Sequence, residues 1–258
     1  RDSVASRGLG DVYKRQGVYS AMALLDLDTA KAKKYTDTKS VKEESGYTSP
    51  FCYPLWPCDR VGEYILAKSA VAGAMIQYMA SDNEDVPNQS PSNHLLGVGG
   101  QCLEDGTEVY LDQDQANTVN GYGVTTAINQ NGYRLWGNYT GAYPASSDAK
   151  DIWFAVRRMF SWQGNNFIQT YFDEVDDPMN NVLVQSVVDS ENIRCSAYAP
   201  KYWAGASIEY KSDDNPKTAI LAGTMKFRQH IAPYTPAQEI VDIIDYDTDT
   251  LAAAVGGN

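Results

Sequence analysis

The residues able to carry chemistry are few and are not arranged for it. Histidine occurs twice in 258 residues, at His94 and His230. His94 stands in a Pro/Asn-rich stretch and His230 near the end of a late β-prone run. Neither neighbours a Gly-x-Ser-x-Gly elbow or another nucleophile signature, so the side chains of a Ser–His–Asp hydrolase exist without its constellation. Cys52, Cys58, Cys102 and Cys195 show no Cys-x-x-Cys spacing. With two histidines beside them they offer no zinc set, and they read as reduced thiols of a protein assembled in a reducing cytosol. Gly97-Val98-Gly99-Gly100 has neither the spacing nor the following lysine of a phosphate loop. Asp173-Glu174-Val175-Asp176-Asp177 lacks the spaced ligands of a calcium loop and reads as a solvated negative loop, suited to a basic partner. Arg157-Arg158 admits an ion pair with one of the acids or an anion site. Without a phosphate loop, the ion pair is the better reading. No catalytic, metal-binding or cofactor-binding residue is assigned.

Bulk composition excludes further classes. Formal net charge is −12, from 33 acidic and 21 basic residues. Such a surface repels phosphate backbones and argues against direct nucleic-acid binding. No apolar run approaches the ~20 residues of a membrane span. Hydrophobic residues at 43% are enough for a core, and the length suits one large domain or two ordinary ones.

The elements that would position these residues read as follows. Arg1–Gln16 is basic, Gly-interrupted and without either period. It resembles read-through from sequence assembly and is set aside as a non-native tail, so the chain reads as the C-terminal part of something longer. Residues 17–148 alternate strand and helix, the rhythm of an α/β layer. Phe51–Cys58, with Pro54 and Pro57, is expected to be extended and irregular, and Asp59–Gly62 to be a turn. Ser69 is expected to cap a helix over Ala70–Ala80, with Val71, Ala74, Met75, Tyr78 and Met79 on its apolar stripe. Leu95–Val98 reads as a short buried strand. A helix over Asp112–Gly121 leads to two strands joined at Gln130-Asn131-Gly132, a hairpin-type turn signal. Residues 149–258 read as an α+β unit. It begins with a long helix after Asp148, continues with a helix over Met179–Ile193, and ends in strands.

The last strands carry the assembly argument. Thr224–Ile231 and Glu239–Tyr246 are both β-prone and are joined across Pro233 and Pro236. Proline cannot donate to a ladder, so the linker is not itself a central strand. Glu239, Ile240, Val241, Asp242, Ile243, Ile244, Asp245 and Tyr246 are expected to form a hairpin with Thr224–Ile231. Its outer edge would be free to pair with another subunit.

Four segments, in order, resemble the contractile tail sheath proteins of bacteriophages and related injection systems. Ser69-Ala70-Val71-Ala72-Gly73 followed by Ser90-Pro91-Ser92-Asn93 is similar to the family's Ser-x-x-x-Gly helix and Pro-x-Asn loop. Asp114–Asn117 with Asn120-Gly121-Tyr122-Gly123-Val124 is similar to its Asn-x-x-Gly-Ile-Asn segment, although Thr125 replaces the final Asn. Gly132 to Thr140 resembles Gly-x-x-x-Trp-Gly-x-x-Thr, through Gly132, Trp136, Gly137 and Thr140, and Val156-Arg157-Arg158-Met159-Phe160 resembles Val-Arg-Arg-Leu-Phe. The resemblance spans about Tyr64 to Tyr246. It implies an α/β core with a subtilisin-like layer arrangement, then an α+β C-terminal sheath domain. It implies a structural subunit that polymerises helically around a tail tube and contracts to drive the tube through an envelope. The partners would be copies of itself, the tube protein, and baseplate and terminator proteins. The location would be the virion, after assembly in the host cytoplasm, with no cofactor and no membrane insertion. Gly132, Trp136, Gly137, Thr140, Arg157 and Arg158 would be framework residues. The rival expectation is an α/β hydrolase-like enzyme with a degenerate site.

Overall fold

The computed structural model describes residues 20–256; the tail Arg1–Gln16 lies outside them. The first strand, β1 (Ala23–Asp26), pairs in parallel with β2 (Cys52–Leu55). Between them runs a short helix, α1 (Thr38–Glu44). Pro54 does not prevent β2 from forming. It contributes its carbonyl, which accepts from the Thr125 amide at 2.8 Å, while Trp56 N–H donates to Thr125 O at 2.9 Å. These bonds join β2 to the start of β6 (Thr126–Asn129), which pairs antiparallel with β7 (Tyr133–Trp136). The expected irregular segment is therefore the interior strand of the sheet. Pro54 is tolerated because the missing donor falls where the ladder does not need one.

The expected turn at Asp59–Gly62 is mostly strand as well. β3 (Cys58–Val61) pairs antiparallel with β4 (Tyr64–Leu66) and with β5 (Gly100–Cys102), and Gly62, at φ +60°, makes the tight turn. The next helix, α2 (Lys68–Asp82), has Ala67 at its N-cap. Ser69 lies inside it and donates to Asp26 instead of capping. Its buried residues include Ala72 and Ile76, while Tyr78 is exposed, so the apolar stripe is rotated from the expected one. Leu95 is exposed and makes only an isolated bridge to Arg134, not a buried strand.

Local signals held where capping and turn chemistry are specific. α3 (Gln113–Gly121) is capped by Asp112, whose carboxylate accepts from Gln115 N while the Gln115 side chain returns to Asp112 N. The turn between β6 and β7 places Asn131 and Gly132 at positive φ.

After Asp148 comes one turn, α4 (Ala149–Ile152), then α5 (Phe154–Thr170). Phe154 of α5 joins the core of Tyr53, Leu55, Ala72, Ile76 and Leu135. Met159, a little more than one turn later, joins a second core with Val86, Cys195, Tyr202 and Trp203. α5 thus serves both cores. The helix expected over Met179–Ile193 runs as α6 (Asn181–Tyr198), capped by Asn180, with Val187, Glu191 and Cys195 buried at i, i+4 and i+8. It covers β8 (Trp203–Glu209). That strand pairs antiparallel with β9 (Arg228–Pro233) across a connection holding α7 (Lys217–Leu221).

The terminal hairpin does not form in this way. Residues 239–246 have no regular structure and no ladder partner among the described residues. β9 takes β8 as its partner because that face covers Trp203, Ala206 and Ile231 against the helices, whereas the acids at every third residue in 239–246 fall on both faces of a strand and give it no face to bury. The strand also runs to Pro233, so the linker begins later than expected. A last short helix, α8 (Thr248–Ala254), is capped by Asp247.

Candidate assembly interface and motif residues

The motif residues fall into a framework around β6, β7 and the start of α5. Gly132 closes the hairpin at φ +106°. Gly137 has φ +147°, and a Cβ there would stand 2.6 Å from Thr125 Oγ1 and 2.9 Å from Thr125 Cα. A side chain cannot be accommodated at that crossing. Thr140 is fully buried. Its hydroxyl donates to Asp151 O, and its N–H donates to Ile152 O at 2.8 Å, which fixes α4 against the sheet. Trp136 is half-buried, not a core residue: Leu135 points inward, and Trp136 Nε1 donates to Asn117 Oδ1 at 2.8 Å.

Arg157 and Arg158 separate. Arg157 pairs with Asp151 at 3.0 Å and lies 4.0 Å from the centre of the Phe51 ring. Arg158 points elsewhere, towards the Phe154 ring at 5.4 Å, and has no acid partner among the described residues. The ion pair expected for this dipeptide is made by its first arginine alone.

The histidines do not converge on a cleft. His94 is held below its ordinary pKa by burial and by Arg134. His230 is exposed, 3.0 Å from Glu209. Ser207 stands opposite His230 in the ladder, but no hydrogen bond joins them and the whole face is open. Among the described residues no group of three or more His, Cys, Asp or Glu side chains is placed to hold a metal, and no helix is long and apolar enough to cross a membrane. The four cysteines carry free thiols, and burial pushes Cys58 up to about 12.

One constellation had no sequence signal. Lys68 and Asp59, both fully buried, form an ion pair between α2 and β3. The Asp59 pKa is raised, chiefly by burial, and its second oxygen has no partner. The pair is sealed from solvent and has no access for a substrate, so it locks the helix to the strand. It was hidden because Asp59 read as a turn residue.

The segment expected to mediate assembly lies at the C-terminal end. β8 and β9 form a two-stranded sheet whose outer edges have no ladder partner among the described residues. One face, with Gln229 and Ile231, covers the helices, and Ser207, Arg228 and His230 face outward. Beyond Pro236, Gln238 Nε2 donates to Asn138 Oδ1 at 2.7 Å. Ile240, Val241, Ile243, Ile244 and Tyr246 then stand 68–90% exposed.

No protein-family model matches the chain. It is 27% identical over 197 residues to the major tail sheath protein of Serratia phage KSP20, covering 73% of this chain and 48% of that one. It is 22% identical over 215 residues to the tail sheath protein of Escherichia phage P2, covering 78% and 52%. The chain therefore spans about half the length of these curated relatives. In fold it is similar to the sheath complex of the PVC extracellular contractile injection system in its contracted state, with TM-score 0.72, 18% identity and 89% and 65% of the two chains covered. It is similar also to a chain of the contracted anti-feeding prophage baseplate, with TM-score 0.73, 20% identity and 93% and 68% covered. By sequence the chain is similar to phage tail sheath proteins, and its mixed α/β fold is similar to that of contractile injection system sheaths.

Proposed function

We propose that the chain acts as a structural subunit of a contractile tail sheath, polymerising helically around a tail tube. In this reading residues 17–148 are part of a sheath core with subtilisin-like layers, and residues 149–258 form the C-terminal sheath domain. Glu239–Tyr246 is its exchange arm. Gly132, Trp136, Gly137, Thr140 and Arg157 brace the subunit as a rigid body. The partners are neighbouring copies, the tube protein, and baseplate and terminator proteins. The site of action is the virion or an injection particle, after assembly in the host cytoplasm.

The observation that carries the reading is the conjunction of a sheath-type fold with an unpaired two-stranded sheet and an exposed acidic–apolar segment beside it. Identical subunits with complementary, non-closing patches build helical tubes. Contraction is then a change between two packings of near-rigid bodies, driven by the metastable extended state and needing no nucleotide. The acids of the segment suppress promiscuous edge pairing until the right edge is met. Each ladder bond is worth a net ~0.5–1.5 kcal/mol, small per joint and large when repeated along a tube. The relatives indicate no enzymatic family, and no observation favours the hydrolase reading. Deleting Glu239–Asn258 is expected to leave soluble, folded subunits that no longer polymerise. Extended sheaths formed by the deleted protein would reduce the segment to local structure.

A further inference from the structure

The acidic run at residues 173–177 borders an apolar cup. The cup, of about 440 Å³, lies between the end of α5, the start of α6 and the segment leading into β9. Phe167, Tyr171, Met179, Leu183, Met225 and Phe227 form its walls. Glu174, Asp176 and Asp177 also line it and are exposed, and no basic residue does so. Among the described residues these three carboxylates make no ion pair. Phe172, Val175 and Val182, on the same loop and helix start, are 61–77% exposed. Contiguous apolar surface left in water in this way marks an interaction site.

We propose that this cup receives the lysines of residues 31–34 of a second copy of this chain, so that neighbouring subunits join head to tail. The inference rests on the sheath reading above and adds to it a contact between subunit bodies. Charge identifies the occupant. The chain has one run with four acids in five positions, residues 173–177, and one with three lysines in four, Lys31, Lys33 and Lys34. All three lysines are exposed on the loop before α1. Lys31 pairs at the surface with Glu44 at 3.6 Å, and Lys33 and Lys34 make no ion pair among the described residues. A lysine lays its four-carbon stem on apolar side chains while its ammonium stays at a polar rim, and an ammonium is also attracted to aromatic faces. An exposed ion pair alone contributes little, so the apolar walls supply the rest of the contact. Run and cup belong to different parts of the subunit. Ala32 packs in the core of Leu27, Val41 and Trp56, whereas Phe167 lies roughly 20 Å along α5 beyond Phe154. A patch that meets a different patch makes a heterologous contact, which propagates from subunit to subunit and does not close as a dimer.

The test is self-association of the full chain by analytical ultracentrifugation, with charge reversals at these exposed positions. Lys33→Glu with Lys34→Glu, and Asp176→Lys with Asp177→Lys, are each expected to weaken association at least about tenfold. General repulsion between chains of net charge −12 would instead strengthen association in the aspartate variant, so weakening in both is particular to the contact. All four reversals in one chain should restore most of the association, a recovery that misfolding would not produce. A carbodiimide added to a mixture of labelled and unlabelled chains should couple residues 174–177 of one chain to Lys33 or Lys34 of another. Cross-links confined to one chain, or made to Lys14 in place of the run, overturn the proposal. So does an unmodified chain that stays monomeric, or a fourfold variant that associates no better than either pair alone. If the charge-reversed chains form tubes as readily as the unmodified chain, the cup is not a contact and the sheath reading stands. If the unmodified chain associates through these residues without forming tubes, the contact stands and the sheath reading falls.

Discussion

The decisive side chains are buried polar groups rather than catalytic ones. Lys68 and Asp59 hold each other at zero exposure, so removing one strands a charge in the core. Lys68→Met is expected to cost about 3–5 kcal/mol, measured by chemical denaturation, while Lys68→Met with Asp59→Leu recovers most of the loss. The alkaline limb of stability follows from other buried groups. Burial holds Cys58 and Tyr53 protonated, with Cys58 pushed up to about 12, and burial with the neighbouring Tyr143 pushes Tyr139 to about 12. The unfolded chain loses these protons first, so it binds fewer protons and stability falls as pH rises through about 9 to 12. Lys42 has the opposite sign. Burial lowers it to about 8, so the unfolded chain binds the extra proton and stability rises between about pH 8 and 10.5. Arg158, lowered by burial to about 10, has the sign of Lys42. The thiols and phenols raised by burial, Cys52, Cys58, Cys195, Tyr53, Tyr139 and Tyr171, outnumber these two and give a lower denaturation midpoint at about pH 11 than at about pH 9. An equal or higher midpoint contradicts this balance. Neither Lys68–Asp59 nor the lone Arg158 was legible in sequence, because a charged residue looks the same whether its partner is water, an acid or nothing.

The elements divide by how local their determinants are. Asp112 with Gln115, and Asn131 with Gly132, are short-range devices, and the helix and hairpin they specify are present as read. Gly137 is a sharper case, since its backbone conformation and the Thr125 crossing both exclude a Cβ. Gly137→Ala is expected to destabilise by about 2–4 kcal/mol, from backbone strain plus overpacking, read as a lower urea midpoint. A neutral substitution would mean that β6 and β7 can separate freely. The misread elements depended on distant partners. Pro54 argued against a strand until β6 supplied a ladder that needed only its carbonyl. The α2 stripe was set by the sheet beneath it, which selects Ala72 and Ile76 over the equally apolar Val71 and Tyr78 row. Glu239–Tyr246 had strand propensity and the wrong assumed partner, because β8 offers β9 a face to bury and the acidic segment does not.

At the scale of the molecule, α5 ties the two cores together through Phe154 and Met159, so that one helix couples them mechanically. The two-stranded β8–β9 sheet is incomplete by itself, and isolated two-stranded sheets are marginal without packing or further strands. In this molecule the helices cover one face, and a neighbour's strand would complete an edge. The most direct test is electron microscopy of the expressed chain at high protein concentration. The account predicts helical tubes, present in a long narrow form and a short wide one. Monodisperse monomers that turn over an ester or peptide substrate would contradict it.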